Sequence, residues 1–320
     1  MQSAQGNKRT TTKDAARGRW HGIMSYYGLT DKQLSGKHSP CPNCNGKDRF
    51  RFTDRGSGDY FCSGCSPGDG FDLVMKITGL SFGEVAKEID DIVGNIKQEK
   101  IKMPDTDKAA ALLKRISGEL TPIDDNTKAY LKYRGVPACS GMRSHPGLTY
   151  YEDGKPAGKY PAMVTRFLTS NGTLSTYHVT YLQDGKKAPV SSPKKIMPVC
   201  QPMAGGALRL TPVAEHMGIT EGVETALACM DRFVLPVWAS SNTAMLEAFE
   251  TMQGIKSIIV FADNDANFAG QKSAYILANR LALQGVKVDV LIPPHVGDWN
   301  DKINGGSCQL NGGGYENLDD

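Results

Sequence analysis

Cys41, Cys44, Cys62 and Cys65 form two C-x2-C pairs separated by 17 residues. Each pair turns tightly enough to aim two thiolates at one ion, and the stretch between them is long enough for a hairpin. That is the ligand set and spacing of a structural zinc site. With four sulfurs bound, no coordination position stays open for a substrate water, so such a metal holds shape. A pair of redox dithiols is the competing reading. A second set is acidic. Glu221, Asp263 with Asp265, and Asp298 each follow an apolar, strand-like run. Crowded carboxylates repel one another unless cations intervene. Hard oxygens with water in the remaining positions are what Mg²⁺ takes, and Mn²⁺ accepts the same ligands. Two such ions can bind the attacking and leaving oxygens of a phosphoryl transfer. The plainer alternative is that Asp263 and Asp265 only cap the helix "AGQKSAYIL" that follows.

These residues need elements to hold them. Between the cysteine pairs, "KDRFRF" alternates charge and ring: Arg49 and Arg51 fall on one face of a strand, Phe50 and Phe52 on the other. The phenylalanines fill a small core, and the arginines suit phosphates or a base edge, or else solvent. Upstream, residues 14–27 read as one helix with Trp20, Ile23, Met24 and Tyr27 on a stripe and Gly28 as its stop. Downstream, a short helix ends at Gly79. Ser81 and Glu84 then form a capping box for a helix ending at Gly94. The polar stretch at 95–108 reads as a linker. Helices are expected at 106–117 and 124–134. A β-rich segment is expected at 147–200, turning at Asn171–Gly172. From 216, strands "HMGIT", "VLPVWA", "KSIIVFA" and "VKVDVLI" alternate with helices, the pattern of a small, mostly parallel α/β sheet. Every acid named above lies at the carboxyl end of one of these strands, the edge where open α/β sheets bind ligands.

Bulk properties agree with several soluble domains. The chain has 320 residues, 40% hydrophobic and 22% charged, with no apolar run long enough to span a bilayer and no secretory signal at its start. A cytoplasmic location is expected. Eight cysteines without a secretory signal argue against a disulfide framework, and Cys139, Cys200, Cys229 and Cys308 read as inert thiols. The net charge of +3 conceals an asymmetry. Residues 1–205 carry 30 Lys and Arg against 20 Asp and Glu, and residues 206–320 carry 7 against 14. A basic front suits a polyanion and an acidic back suits cations. No GxxxxGK[ST] phosphate loop occurs.

"EG" at Glu221–Gly222 followed by D-x-D at Asp263–Asp265 resembles the Toprim domain of primases, topoisomerases and some nucleases. "PCPNCNGKDRFRF…YFCSGCSPGDGFDLV" resembles the zinc-binding domain of phage- and plasmid-type DNA primases, and "YRGV…YPAMV…YHVTYL…KKIM…GGALRL" resembles their middle segment. The resemblance covers about residues 14–305. It implies an α+β multidomain fold: a small zinc ribbon, a mixed α+β middle segment and an α/β Toprim domain with a mostly parallel sheet. The expected organisation is an N-terminal helix and zinc ribbon at 1–94, the linker at 95–108, and the basic part of the primase core at 109–210. A Toprim catalytic domain at 211–305 and a flexible tail at 306–320 follow.

By the same resemblance, Glu221, Asp263 and Asp265 are catalytic and bind Mg²⁺, joined by Asp298, while Zn²⁺ is structural. The sequence departs from bacterial primases at two points. Asn300 stands where the second acid of a later D-x-D would be, with Asp301 next to it. Thr225 stands where a further acid is placed four residues after the Glu, with Glu224 one position earlier. Glu224 reads equally as a ligand or as a first-turn helix acid. A basic wall for nucleotides is expected from Arg134, Arg166, His178, Lys194 and Lys195. Lys272, opening the helix after D-x-D, points at a phosphate or only at solvent. The implied activity is synthesis of short RNA primers on single-stranded DNA from ribonucleoside triphosphates, beside a separate replicative helicase. The alternatives are a Toprim-type nuclease and a non-catalytic, zinc-dependent DNA-binding module of replication.

Overall fold

The computed structural model describes residues 11–65, 67–99 and 105–305; linker residues 100–104 and the expected tail at 306–320 lie outside the described residues. The chain divides into two compact units, Met1–Pro104 and Asp105–Asp320. Among the described residues no helix is long and apolar enough to cross a membrane.

In the first unit, helices α1 (Thr12–Ala16), α2 (Trp20–Tyr26) and α3 (Asp31–Leu34) precede a ribbon of β1 (Phe50–Phe52) and β2 (Tyr60–Cys62), followed by α4 (Gly70–Thr78) and α5 (Phe82–Val93). The single helix expected over 14–27 is two helices broken at Gly18, whose φ is +73°. The break has a physical reason. Glu99 returns to this point, its N–H donates to the Gly18 carbonyl at 2.6 Å, and a Cβ on Gly18 would stand 2.8 Å from the Glu99 oxygen. Ser81 and Glu84 form the reciprocal capping box that their spacing announced. One core runs from the helices into the ribbon: Trp20, Ile23, Met24, Phe71, Leu73 and Val74 are buried with Phe50, Phe52 and Tyr60. The ribbon therefore does not stand alone. Its inner face is part of a helical core too large for a bare zinc knuckle.

The second unit opens with α6 (Thr106–Glu119), capped by Asp105, so Thr106 to Lys108 are already helical. Next come α7 (Asp125–Tyr133) and strands β3 (Met142–Glu152), β4 (Lys155–Leu168), β5 (Leu174–Gln183), β6 (Lys186–Lys187), β7 (Lys194–Ile196) and β8 (Ala207–Leu208). The alternating part is β9 (His216–Thr220), α8 (Val223–Phe233), β10 (Val237–Ala239), α9 (Thr243–Ala248), β11 (Ser257–Phe261), α10 (Ala269–Leu283), β12 (Lys287–Leu291) and α11 (Trp299–Gly305).

Among the described residues, all ten strands of this unit form one mixed sheet, ordered β12-β11-β9-β10-β8-β4-β5-β6, with β3 added to β4 and β7 to β5. β12, β11, β9 and β10 are parallel. β8 then pairs antiparallel with both β10 and β4, through Leu208 opposite Ala239 and Leu208 opposite Phe167. This two-residue strand welds the antiparallel middle segment to the parallel segment, so the two share one sheet.

The order also fixes where a ligand belongs. β9 is flanked by β10 on one side and β11 on the other. The helix leaving β9 packs with Phe261 and Val237, whereas the helix leaving β11 packs with Ile258 and Val260 on the opposite face. Two chains leaving adjacent strands in opposite directions open a crevice at the carboxyl ends of those strands. Glu221 and the D-x-D pair sit at its two lips.

Candidate functional site

The four sulfurs of Cys41, Cys44, Cys62 and Cys65 lie within 4.8 Å of one another, among the described residues the only such group of His, Cys, Asp or Glu. Cys41 and Cys65 Sγ are 3.8 Å apart, as are those of Cys44 and Cys62. Four sulfurs bound tetrahedrally at about 2.3 Å from one ion must be about 3.8 Å apart. The backbone N–H of Gly64 donates to Cys62 Sγ and the Asn43 amide donates to Cys65 Sγ, both at 3.4 Å, which orients ligand sulfurs as outer-shell donors do. The cluster fits a structural zinc ion. Phe50 and Phe52 are buried on the ribbon's inner face, while Arg49 and Arg51 are exposed on the other. Gly46 and Gly64 lie under the Arg49 side chain, which would collide with a Cβ at either position.

At the crevice, Asp263 and Asp265 flank Asn264, whose backbone bridges Gly297 through bonds of 2.9 and 3.0 Å. The Asn264 amide also donates to the Pro293 carbonyl at 2.7 Å. These contacts dock the loop that carries Asp298 against the D-x-D loop. Gln271, 8% exposed, locks the same loop from α10, accepting from the Asp265 N–H and donating to Asn264 Oδ1. Asp265 does cap α10, since its Oδ2 accepts from the Gly270 N–H at 2.9 Å. Asp263 does not: its buried Oδ1 has no hydrogen-bond partner. The capping explanation thus accounts for one aspartate of the pair.

The electrostatics single out the same place. Burial, and then Glu221, Asp298, Asp265 and Asp301, push the Asp263 carboxyl up to about 8. Burial, and then Asp265, push Glu221 up to about 7. A buried carboxylate oxygen without a donor, ringed by acids, is a site short of positive charge, and a hard divalent cation supplies it. Asp298 Oδ1 meanwhile accepts from the Asp301 N–H at 2.8 Å at the start of α11. Asn300, at the position of the missing acid, is buried at 3% exposure, and Asp301 is the exposed neighbour.

The basic candidates divide between the two faces of the sheet. Lys194 reaches Glu224 Oε2 at 2.6 Å. His178 lies near both, buried, and desolvation pulls it down to about 4, so it is a neutral imidazole and not the cation expected from the sequence. Arg134 follows α7 as its C-cap and acts electrostatically on Tyr130 and Lys187. On the opposite face, Arg166 shares a shallow pocket with Arg209, Ser140 and Thr211. Lys195 donates to the Tyr151 carbonyl and lies 4.0 Å over the Tyr150 ring. Lys272 is exposed in the first turn of α10.

Two residues went unread in the sequence. Lys187 feels Lys194, Glu224, Arg134 and Asp298 together, which places it between the basic and acidic groups; the Lys pair in "DGKKA" was the available signal. Gly270 is the other. A Cβ there would stand 2.6 Å from the Asp263 carbonyl oxygen. Gly270→Ala is expected to displace the D-x-D loop and cut metal-dependent activity by about 10²-fold. Steady-state assay beside a thermal melt checks it, the melt moving little.

The fold and site define a class: an acidic, cation-seeking crevice on a parallel sheet, carried in one chain with a four-thiolate ribbon. Family models agree. Residues 36–71 match the zinc-binding domain of primase-helicase, residues 216–307 match the Toprim domain, and residues 107–210 match a domain of unknown function, DUF7146. The zinc domain and the Toprim domain together make this chain a DNA primase. Among solved structures, the zinc-binding and RNA polymerase domains of the Aquifex aeolicus primase are similar at 16% identity. That match covers 92% of this chain and 82% of that one, with a TM-score of 0.43. The primase fragment of the bacteriophage T7 primase-helicase is similar at 16% identity over 84% of this chain and 95% of that one, with a TM-score of 0.36. The E. coli primase catalytic core is similar at 11% identity over 62% and 75%, with a TM-score of 0.40. The domain matches, not these distant likenesses, carry the identification.

Proposed function

We propose that the chain makes short RNA primers on single-stranded DNA during phage or plasmid replication, in the cytoplasm of a bacterial host. The observation that supports this most is the crevice itself, where Glu221, Asp263, Asp265 and Asp298 interact and Lys187 of β6 and Lys194 of β7 stand alongside. Glu221, Asp263 and Asp265 are the residues that would hold Mg²⁺, or Mn²⁺, with Asp298 beside them. The chemistry such ions would supply is charge stabilisation at the attacking 3′-hydroxyl and at the departing pyrophosphate. Asp263 keeps an oxygen without a donor for this purpose, while Asp265, tied to α10, fixes the loop.

Lys194, Lys187 and Arg134 receive the triphosphate of a ribonucleotide, and Lys272 stands ready for a further phosphate. His178, neutral, shapes this wall without adding charge to it. On the other face, Arg166 and Lys195 follow a nucleic-acid strand. On the ribbon, Arg49 and Arg51 meet the template, held in place by zinc on Cys41, Cys44, Cys62 and Cys65. We assign 1–94 to template contact, 95–108 to the linker, 109–210 and 211–305 to polymerisation, and 306–320 to a tail. A separate replicative helicase is the natural partner of such a chain. Labelled ribonucleotides supplied with unprimed single-stranded DNA test the reading: incorporation is expected with Mg²⁺ and none after chelation.

A further inference from the structure

Glu224 stands one residue before the position where the primase resemblance puts an additional metal-binding acid. Its surroundings give it other work. The side chain is 5% exposed, and both oxygens are engaged. The Tyr130 hydroxyl donates to Oε1 at 2.6 Å and the Lys194 ammonium donates to Oε2 at 2.6 Å. Tyr130 itself is fully buried. One carboxylate thus ties α7 and β7 to α8, the helix that begins two residues after Glu221. A cation at Glu224 would have to displace donors already in place.

Lys194 has the opposite exposure. Its side chain is 38% exposed, so the ammonium is anchored on the buried side and open on the other. A lysine ammonium has three N–H donors, and Glu224 takes one. The groups around the pair are Lys187, Arg134 and the buried His178, with Asp298 next to Lys187. Asp298 in turn faces Asp263. Lys194 and the acids of the crevice thus share one electrostatic neighbourhood, through Lys187 and Asp298.

We propose that Glu224 is a positioning residue that holds the Lys194 ammonium toward the triphosphate of the incoming ribonucleotide, and that it is not a metal ligand. The proposal rests on the reading of Lys194 as a nucleotide contact. An exposed lysine has many rotamers, and anchoring one N–H to a buried carboxylate removes most of that freedom before the nucleotide arrives. Glu224 is held as the carboxylate. Burial alone would raise the Glu224 carboxyl, but Lys194 and then Tyr130 outweigh it and hold it at about 2.

The test is a double-mutant cycle in the full chain on Glu224→Gln, Lys194→Met and the double variant. It reads ATP affinity by calorimetry without divalent metal, and half-saturating Mg²⁺ in primer synthesis. Each single change is expected to weaken ATP about tenfold, the double no more than either single, with half-saturating Mg²⁺ unchanged. Additive losses overturn the proposal. So does a Glu224→Gln variant that needs more Mg²⁺ yet binds ATP normally. So does a wild type that binds no ATP. If Glu224→Gln does not fold, Lys194→Met and the double variant are compared: equal affinities support the proposal, and a further loss in the double overturns it. Coupling in ATP binding by a wild type that makes no primers would leave the positioning role intact and remove the primase reading instead.

Discussion

Asp263→Asn is expected to lower metal-dependent RNA synthesis by about 10³-fold, the scale of losing several kcal/mol of charge stabilisation at the reacting oxygens. The same change is expected to stabilise the metal-free chain. Asp263 is buried among Glu221, Asp298, Asp265 and Asp301, and its carboxyl is pushed from 3.8 to about 8. A raised carboxyl pKa means that the folded state binds more protons than the unfolded state between those two values. Metal-free stability therefore falls as pH rises from about 4 through about 8, and the full penalty is present above that window. The asparagine removes the penalty. A relief of about 1 kcal/mol moves Tm by about 2–4 °C in a unit of this size. Melts at pH 5 and pH 8.5 without divalent metal should differ more for the wild type than for the variant. Activity lost together with Tm at both pH values would mark Asp263 as a structural residue instead. The proton and the metal compete for these oxygens, so the apparent affinity for Mg²⁺ should also climb over the same range.

Cys62→Ser is expected to take the zinc content from about one ion per chain to near zero and to unfold the ribbon. Cys62 is fully buried, closes β2 and packs with Phe50, Tyr60 and Trp20 in one core. Free energy from four zinc–thiolate bonds, about 10–16 kcal/mol in small zinc peptides, is folding energy for such a unit. Atomic emission should show the metal loss. Hydrogen exchange should show β1 and β2 losing protection, with the second unit unchanged. Template-dependent synthesis should fall much further than binding of ATP, because the crevice belongs to the second unit. A variant that keeps its zinc, or an unprotected ribbon in the wild type, would contradict this account.

Much of this arrangement is written locally in the sequence. The cysteine spacing gives the knuckle, the Ser81–Glu84 pair gives a helix start, and Glu221 and the Asp263–Asp265 pair follow apolar runs that fold as strands. Those signals act over a few residues, through turn geometry, capping and side-chain period. What stayed hidden depends on long-range pairing. β8 is two residues long and carries no period, yet it joins both halves of the sheet. Which face of a strand meets the crevice follows from register, and a slip of one residue reverses it. This is why Lys194 and Lys195, adjacent in sequence, end on opposite faces, one on Glu224 and the other on Tyr150. Gly18 looked like an ordinary interior residue because its reason, the returning Glu99, is 81 residues away. Glu224 is the sharpest case. Its place near Glu221 left a ligand and a first-turn helix acid equally open, while its partners Tyr130 and Lys194 lie 94 and 30 residues upstream.

The central claim is that this crevice joins ribonucleotides on a DNA template. The most direct measurement is a length-resolved gel of products from purified full chain, unprimed single-stranded DNA, Mg²⁺ and labelled ribonucleotides, with an Asp263→Ala, Asp265→Ala variant alongside. Short RNA from the wild type, absent with the variant, is the predicted result. Cut template in place of new RNA would contradict it and make the crevice a nuclease. Intact template with no product, under Mg²⁺ and Mn²⁺ and across several template sequences, would contradict it too and leave a DNA-binding module.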